Sequence, residues 1–253
     1  MRYFIELSFK GTNYFGWQIQ PDAPTVQEKL NSSLSLLLRE KIEIVGAGRT
    51  DSGVHAKLMI AHFDSDRVES LDNLKHRLNS LLPDDISVYR IYEVQSDAHA
   101  RFDAESRSYI YKIFLGRDPF ELETTWQIHN KDFDIDLMNE ACKVLLKHKD
   151  FKAFSKSKTD VKTYECVIFD AEWVLDNNQL NFNISANRFL RNMVRAIVGT
   201  MLEIGQGDLS IADFENVILS RNRSNAGKSV PARGLYLSDI KYPDNKIYGK
   251  QNK

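Results

Sequence analysis

Apolar and polar positions alternate across residues 3–9, which predicts a half-buried strand. A loop rich in glycine and aromatics follows, Gly11-Thr-Asn-Tyr-Phe-Gly-Trp-Gln18. Thr25-Val-Gln-Glu28 has the form of a capping box. Behind it Val26, Leu30, Leu34, Leu37 and Leu38 recur at helical spacing, predicting a helix of about three to four turns. Residues 42–45 and 58–63 read as strands, 71–82 as a helix stopped by Pro83, and 86–94 as a further strand.

The order then begins again. Residues 109–115 read as a strand, and 137–146 as a helix behind the capping candidates Asp134 and Asp136. Two strands, 161–175 and 180–185, are joined by the turn residues Asp176-Asn-Asn178. A long helix is expected over 187–203, ending near Gly205 and Gly207, then a short helix over 211–219 and a last strand over 235–241. Strand-helix-strand-strand-helix-strand in each half implies an α+β fold. The expectation is two α/β sandwich subdomains, each a mainly antiparallel sheet with helices on one face, with an active-site cleft between them. The polar stretch 96–106 sets the boundary, giving subdomains 1–104 and 105–253. The halves show no residue-level repeat.

Composition narrows the class. The 253 residues are 42% hydrophobic and 27% charged, enough apolar material for a core. With 34 basic against 35 acidic residues the formal net charge is -1, which argues against a tail-driven nucleic-acid binder but leaves room for a local basic groove. Cys142 and Cys166 lie in apolar-patterned segments without a Cys-x-x-Cys or Cys/His cluster, so both read as buried reduced thiols rather than a disulfide or zinc site. The N-terminus lacks a signal-peptide core and no apolar run approaches about 18–20 residues, so the expectation is a soluble cytoplasmic protein.

Three segments carry candidate chemistry. In Gly46-Ala-Gly-Arg-Thr-Asp-Ser-Gly-Val-His55, three glycines within eight residues forbid a regular element. Arg49 and Asp51, two apart, would face the same side of an extended loop and display a guanidinium with a carboxylate. An incidental surface ion pair is the plainer alternative. Asp-Ser-Gly also occurs in aspartic proteases, but their chemistry needs two carboxylates sharing a proton, and this chain has one such triplet. In the second segment, alternation puts Arg107, Tyr109 and Tyr111 on one strand face, either to stack on a base and hold a phosphate or to fill a core. In the third, Arg188, Arg191 and Arg195 fall at i, i+3 and i+7 of the expected helix, with no acid between 186 and 202. Two basic stretches, Lys152/Lys156/Lys158/Lys162 and Arg221/Arg223/Lys228/Arg233, read as loops, either clasping a nucleic-acid backbone or solvated.

Taken in order, these blocks resemble the tRNA pseudouridine synthase A family. The resemblance rests on Gly11-Thr12, Gly16-Trp17-Gln18, Thr25-Val26-Gln27, the Gly46–Ala56 loop, Arg107-Ser-Tyr109-Ile-Tyr111, the Phe189–Gly199 run and Pro231-Ala232 with Gly234-Leu235-Tyr236-Leu237. It implies an isomerase that converts uridine to pseudouridine at positions 38–40 of the tRNA anticodon stem-loop, as a homodimer without cofactor or metal. It assigns Asp51 as nucleophile, Tyr109 and Arg195 as its catalytic partners, and Arg49 as the residue that displaces the target base. Leu235 would lie against the uracil, with Arg107, Arg188 and Arg191 binding substrate. Lys10 departs from the family, standing where many members have Asp. A non-catalytic tRNA-binding module is the competing reading, and the intact Arg49/Asp51/Tyr109/Arg195 set weighs against it.

Overall fold

A computed structural model describes residues 1–157 and 161–244. Lys158, one of the predicted loop lysines, lies outside the described residues. In chain order the strands and helices are β1 Arg2–Phe9, α1 Val26–Leu38, β2 Val45–Gly46, β3 His55–Asp64, α2 Leu71–Leu81, β4 Ile86–Val94, β5 Ser106–Leu115 and β6 Trp126–Ile128. They continue with α3 Ile135–Leu145, β7 Ile168–Asp176, β8 Gln179–Ala186, α4 Met193–Gly205, α5 Ile211–Ser220 and β9 Leu235–Lys241. The mixture, with strands paired mainly antiparallel, is an α+β fold.

The chain divides into two compact units, Met1–Ser106 with the described part of 237–253, and Arg107–Tyr236. In the first, the strand order is β4-β1-β3-β9, with the short β2 on β3. Strand β1 runs antiparallel to both neighbours, Ile5 facing Ala61 on one side and Ile91 on the other. Its Tyr3, Phe4, Ile5, Leu7 and Phe9 are buried, as is the α1 stripe Val26, Leu30, Leu34 and Leu38. Leu37 falls off that stripe and is half-exposed. Thr25 caps the helix, its hydroxyl oxygen accepting from Glu28 N at 3.4 Å. Helix α2 packs on α1 and β4.

Residues 42–44 do not join the sheet as a strand; only Val45–Gly46 pairs with β3. The cause is competition from α1. Ser35 Oγ accepts from Ile42 N at 2.9 Å, Asn31 Oδ1 accepts from Ile44 N at 2.9 Å, and Gln27 donates to Ile44 O at 2.7 Å. The backbone groups a ladder needs are already taken by side chains.

In the second unit β8 lies between β5 and β7, and the three-residue β6 adds to β5 in parallel, an element with no period for the sequence to show. Helix α3 is capped by Asp134, whose carboxylate accepts from Leu137 N at 2.9 Å, and packs on β7, α4 and α5. Strand β7 starts at Ile168, not at 161. Before it, the chain is spent on the 149–151 segment: Cys166 N donates to Lys149 O at 2.8 Å and Phe151 N to Tyr164 O at 3.1 Å. Cys142 and Cys166 are free, buried thiols, and burial pushes them up to about 12 and about 11. No helix among the described residues is long and apolar enough to cross a membrane.

The largest departure from the periodicity is at α4, which begins at Met193 rather than 187. Asn187 continues strand-like bonding: its N–H donates to Val167 O at 3.1 Å and its side-chain oxygen accepts from Val167 N at 2.8 Å. Asn192 then turns left-handed, at φ 67°, before the helix. Of the three arginines only Arg195 is helical, so Arg188 and Arg191 do not share a helix face with it.

Candidate active site

In the first unit the Asp51 loop is held by the aromatic loop at 11–18. Thr50 O accepts from Trp17 N at 3.4 Å and Tyr14 O accepts from Gly53 N at 3.2 Å. Asp51 O accepts from Val54 N at 3.1 Å, closing a tight turn with Gly53 at φ 76°. The two loops approach too closely for side chains between them. A Cβ on Gly11 would come within 2.0 Å of Val54 O, and one on Gly16, at φ 92°, within 2.3 Å of Thr50 O. Glycine is therefore required on the side of the contact away from the acid.

Burial alternates along the loop: Thr50 is buried, while Arg49 is exposed and Asp51 half-exposed. Arg49 and Asp51 are thus the two solvent-reaching positions on either side of a buried one. The Thr50 hydroxyl oxygen is buried without a hydrogen-bond partner among the described residues. His55, 1% exposed, completes the support: its Nδ1 accepts from Gly11 N at 3.0 Å, which places its ring proton on Nε2. The sequence reading passed over this bracing role. Its signal was the histidine that closes the loop motif where strand β3 begins.

In the second unit the tyrosine strand divides its tasks. Tyr111 is fully buried, and its hydroxyl donates to Pro231 O at 2.8 Å. Its ring lies edge-on to Trp126, 6.4 Å between centroids, and burial raises its pKa. It is a core residue. Tyr109 is half-exposed and meets Phe189 edge-on at 5.1 Å, so Phe189 sets the attitude of its ring. Arg107 donates to Asn187 O at 3.0 Å, tying β5 to the segment that precedes α4.

Arg195 sits in the first turn of α4 and is fixed at both ends. Its Nε donates to Val230 O at 2.7 Å, while its own carbonyl accepts from Val230 N at 3.2 Å. Arg188 is half-exposed and Arg191 exposed. Arg191 O accepts from Lys156 N at 3.0 Å, linking this segment to one of the basic loops. Leu235 is buried at the start of β9. The other basic loop is largely self-engaged. Arg223 donates to Ala226 O, Gly227 O and Ser229 Oγ, and Arg221 pairs with Asp150 at 3.0 Å. No group of three or more His, Cys, Asp or Glu side chains among the described residues could hold a metal ion.

A strapped loop displaying an acid beside an arginine, on an α+β frame, has the character of an enzyme site built on a rigid scaffold. Residues 7–103 and 141–243 match the family model described as tRNA pseudouridine synthase. The chain is 52% identical over 244 residues to the tRNA pseudouridine synthase A of Parabacteroides distasonis, covering 96% of each protein. It is 48% identical over 255 residues to that of Bacteroides thetaiotaomicron, covering all of this chain and 94% of the relative. With the protein of the same name from Bacteroides fragilis the identity is 50% over 244 residues, again 96% of each. The chain belongs to the tRNA pseudouridine synthase family, and is an isomerase acting on uridine in tRNA.

Proposed function

We propose that the protein converts uridines at positions 38–40 of the tRNA anticodon stem-loop to pseudouridine, with Asp51 as the covalent nucleophile. The observation that carries this reading is the Asp51 loop: a carboxylate beside an exposed arginine, strapped by backbone bonds to a second loop and braced by His55. The reaction breaks the N-glycosidic bond, turns the base and rejoins it through carbon; that carbon loses its hydrogen as a proton and the freed nitrogen gains one. A carboxylate can hold the separated fragment covalently while the base turns.

The target base must first leave its stack, which costs a few kcal/mol. Arg49, exposed next to the acid, is the residue proposed to displace the base and occupy its place. By the family resemblance, Tyr109 and Arg195 complete the proposed catalytic set, Tyr109 contacting the base. Leu235 lies against the uracil, and Arg107, Arg188 and Arg191 contribute to substrate binding. Arg188 and Arg191 do so from an irregular segment that precedes α4, not from a helix face. The enzyme works in the cytoplasm as a homodimer and uses no cofactor or metal.

Pseudouridine mapping on tRNA treated with the purified protein tests the position. New pseudouridine at 38, 39 or 40 is expected; modification confined to another arm of the tRNA would refute it. Phosphate contacts release counterions, so tRNA affinity should fall by at least about tenfold between 50 and 200 mM salt. An affinity that stays level over that range would remove the arginines from substrate binding.

A further inference from the structure

The turn after β4 is built with more care than a connection needs. Its carbonyls and amides are claimed one by one. Arg2 donates to Ala98 O at 2.9 Å, Tyr242 Oη to Ala100 O at 2.5 Å, and Ala100 N to His62 Nδ1 at 3.1 Å. Within the turn, His99 N donates to Asp103 Oδ2 at 2.8 Å and Asp103 N to His99 O at 3.0 Å. His99 Nδ1 accepts from both Arg101 N and Phe102 N, at 3.1 and 3.3 Å. The brace holds at neutral pH, because burial, His99 and Arg2 push His62 down to about 4 and leave its Nδ1 free to accept.

At the tip of this rigid turn Phe102 is 74% exposed. One edge of the cluster is His99, 4.3 Å from the Phe102 ring centroid, and the Arg101 guanidinium carbon stands 5.8 Å over the ring. A large apolar ring held out to solvent on a well-bonded backbone gains nothing for the fold. An aromatic face beside a guanidinium is the combination that stacks on a base and attracts its phosphate.

The turn also has a defined place relative to Asp51. The Asp51 loop joins β3 at His55, and the turn leans on the same strand at His62. Seven residues of strand at about 3.3 Å each put about 23 Å between the two attachment points, His55 and His62. B-DNA rising about 3.4 Å per base pair would cover that distance in about seven pairs, and an A-form RNA stem, which rises less per pair, needs more. A hairpin substrate extends so far only on its stem side, because its loop closes within a few nucleotides.

We propose that Arg101 and Phe102 form a second tRNA contact, a stacking tip that engages a nucleotide beyond the anticodon stem. The proposal rests on the tRNA reading above, and the guanidinium beside the ring favours RNA over a second copy of this chain as the occupant.

The test compares full-length tRNA with a hairpin of the anticodon loop and a five-pair stem, measuring Kd and kcat/KM for each. Phe102→Ala and Phe102→Leu should weaken binding of full-length tRNA by roughly five- to fiftyfold and leave the hairpin unaffected. Phe102→Trp, which keeps an aromatic face, should bind like the unaltered protein. Unchanged affinity of Phe102→Ala for full-length tRNA overturns the proposal, as does an equal loss on both RNAs. A fall in assembly mass for Phe102→Ala, with tRNA affinity following protein concentration, would assign the ring to a second copy instead. If the unaltered protein bound neither RNA, the tRNA reading itself would fail, and this contact with it.

Discussion

Replacing Asp51 by asparagine or alanine is expected to abolish pseudouridine formation, by on the order of 10³-fold or more, while tRNA affinity stays within a few-fold. The first part follows from the role proposed for the carboxylate: losing the only covalent partner of a reaction removes its path, not a share of its binding energy. A thousandfold loss corresponds to about 4 kcal/mol of barrier. The second part follows from the structure. Asp51 is held in the loop by its backbone carbonyl, which accepts from Val54 N, and the straps at Thr50 and Gly53 are likewise backbone bonds. A changed side chain leaves them in place. Tritium release from tRNA labelled at uracil C5, alongside a filter-binding measurement, separates the two parts. Turnover within tenfold of the unaltered enzyme would remove Asp51 from the nucleophile role, whatever happened to binding.

Gly16→Ala should also be damaging, to a lesser degree, although it touches no reactive atom. The position sits at φ 92°, where an L side chain is strained, and the added Cβ would meet Thr50 O at 2.3 Å. Backbone strain of about 1–3 kcal/mol is the smaller part of the effect. The contact cannot be relieved by turning a side chain, so the loops must separate, and Thr50 immediately precedes the proposed catalytic acid. A displacement of about 1 Å at a reacting group costs on the order of 10²-fold in rate. The expected result is a kcat/KM lower by about 10- to 100-fold and a Tm lower by about 5 °C, with the protein still folded. Thermal denaturation and single-turnover kinetics on the same sample check it. Full activity would show that the loop contact does not position the acid.

How far these features could be read in advance depended on what held each segment. Strands β4 and β9 fall on the bounds their alternation and flanking turns predict, because those signals are local, and β4 keeps its bounds although Asn79 takes the N–H and carbonyl of Val88. The capping residues Thr25 and Asp134 were legible for the same local reason. Residues 42–44 have the composition of a strand, yet their amides are taken by Ser35 and Asn31, an arrangement visible only once α1 is folded beside them. The error at α4 has a similar origin. Asn187 to Asn192 contains no proline or glycine to announce a break, and the break comes from Asn187 bonding to Val167 and from a left-handed Asn192. That error reached the candidate site, since the expected arginine row depended on a helix that starts six residues later.

Within the site, the Asp51 loop was legible because its glycines and charged pair are contiguous. What the sequence could not show was its support. The close approach at Gly11 and Gly16 and the His55 brace join residues about 35 to 45 positions apart. For Tyr109 and Tyr111 alternation gave a common face but no burial, and only the fold separates the half-exposed ring from the core ring.

Helix α4 carries one more consequence. From Met193 to Gly205 every residue is buried except Arg195 and Glu203. Such a segment sits at the slow end of the native-state opening hierarchy, where amides exchange with solvent only through large-scale unfolding. Arg195 is therefore mounted on a part of its unit with little local breathing, and its carbonyl and Nε are bound to Val230 besides. In the role proposed for it, this guanidinium keeps a fixed position from one substrate to the next.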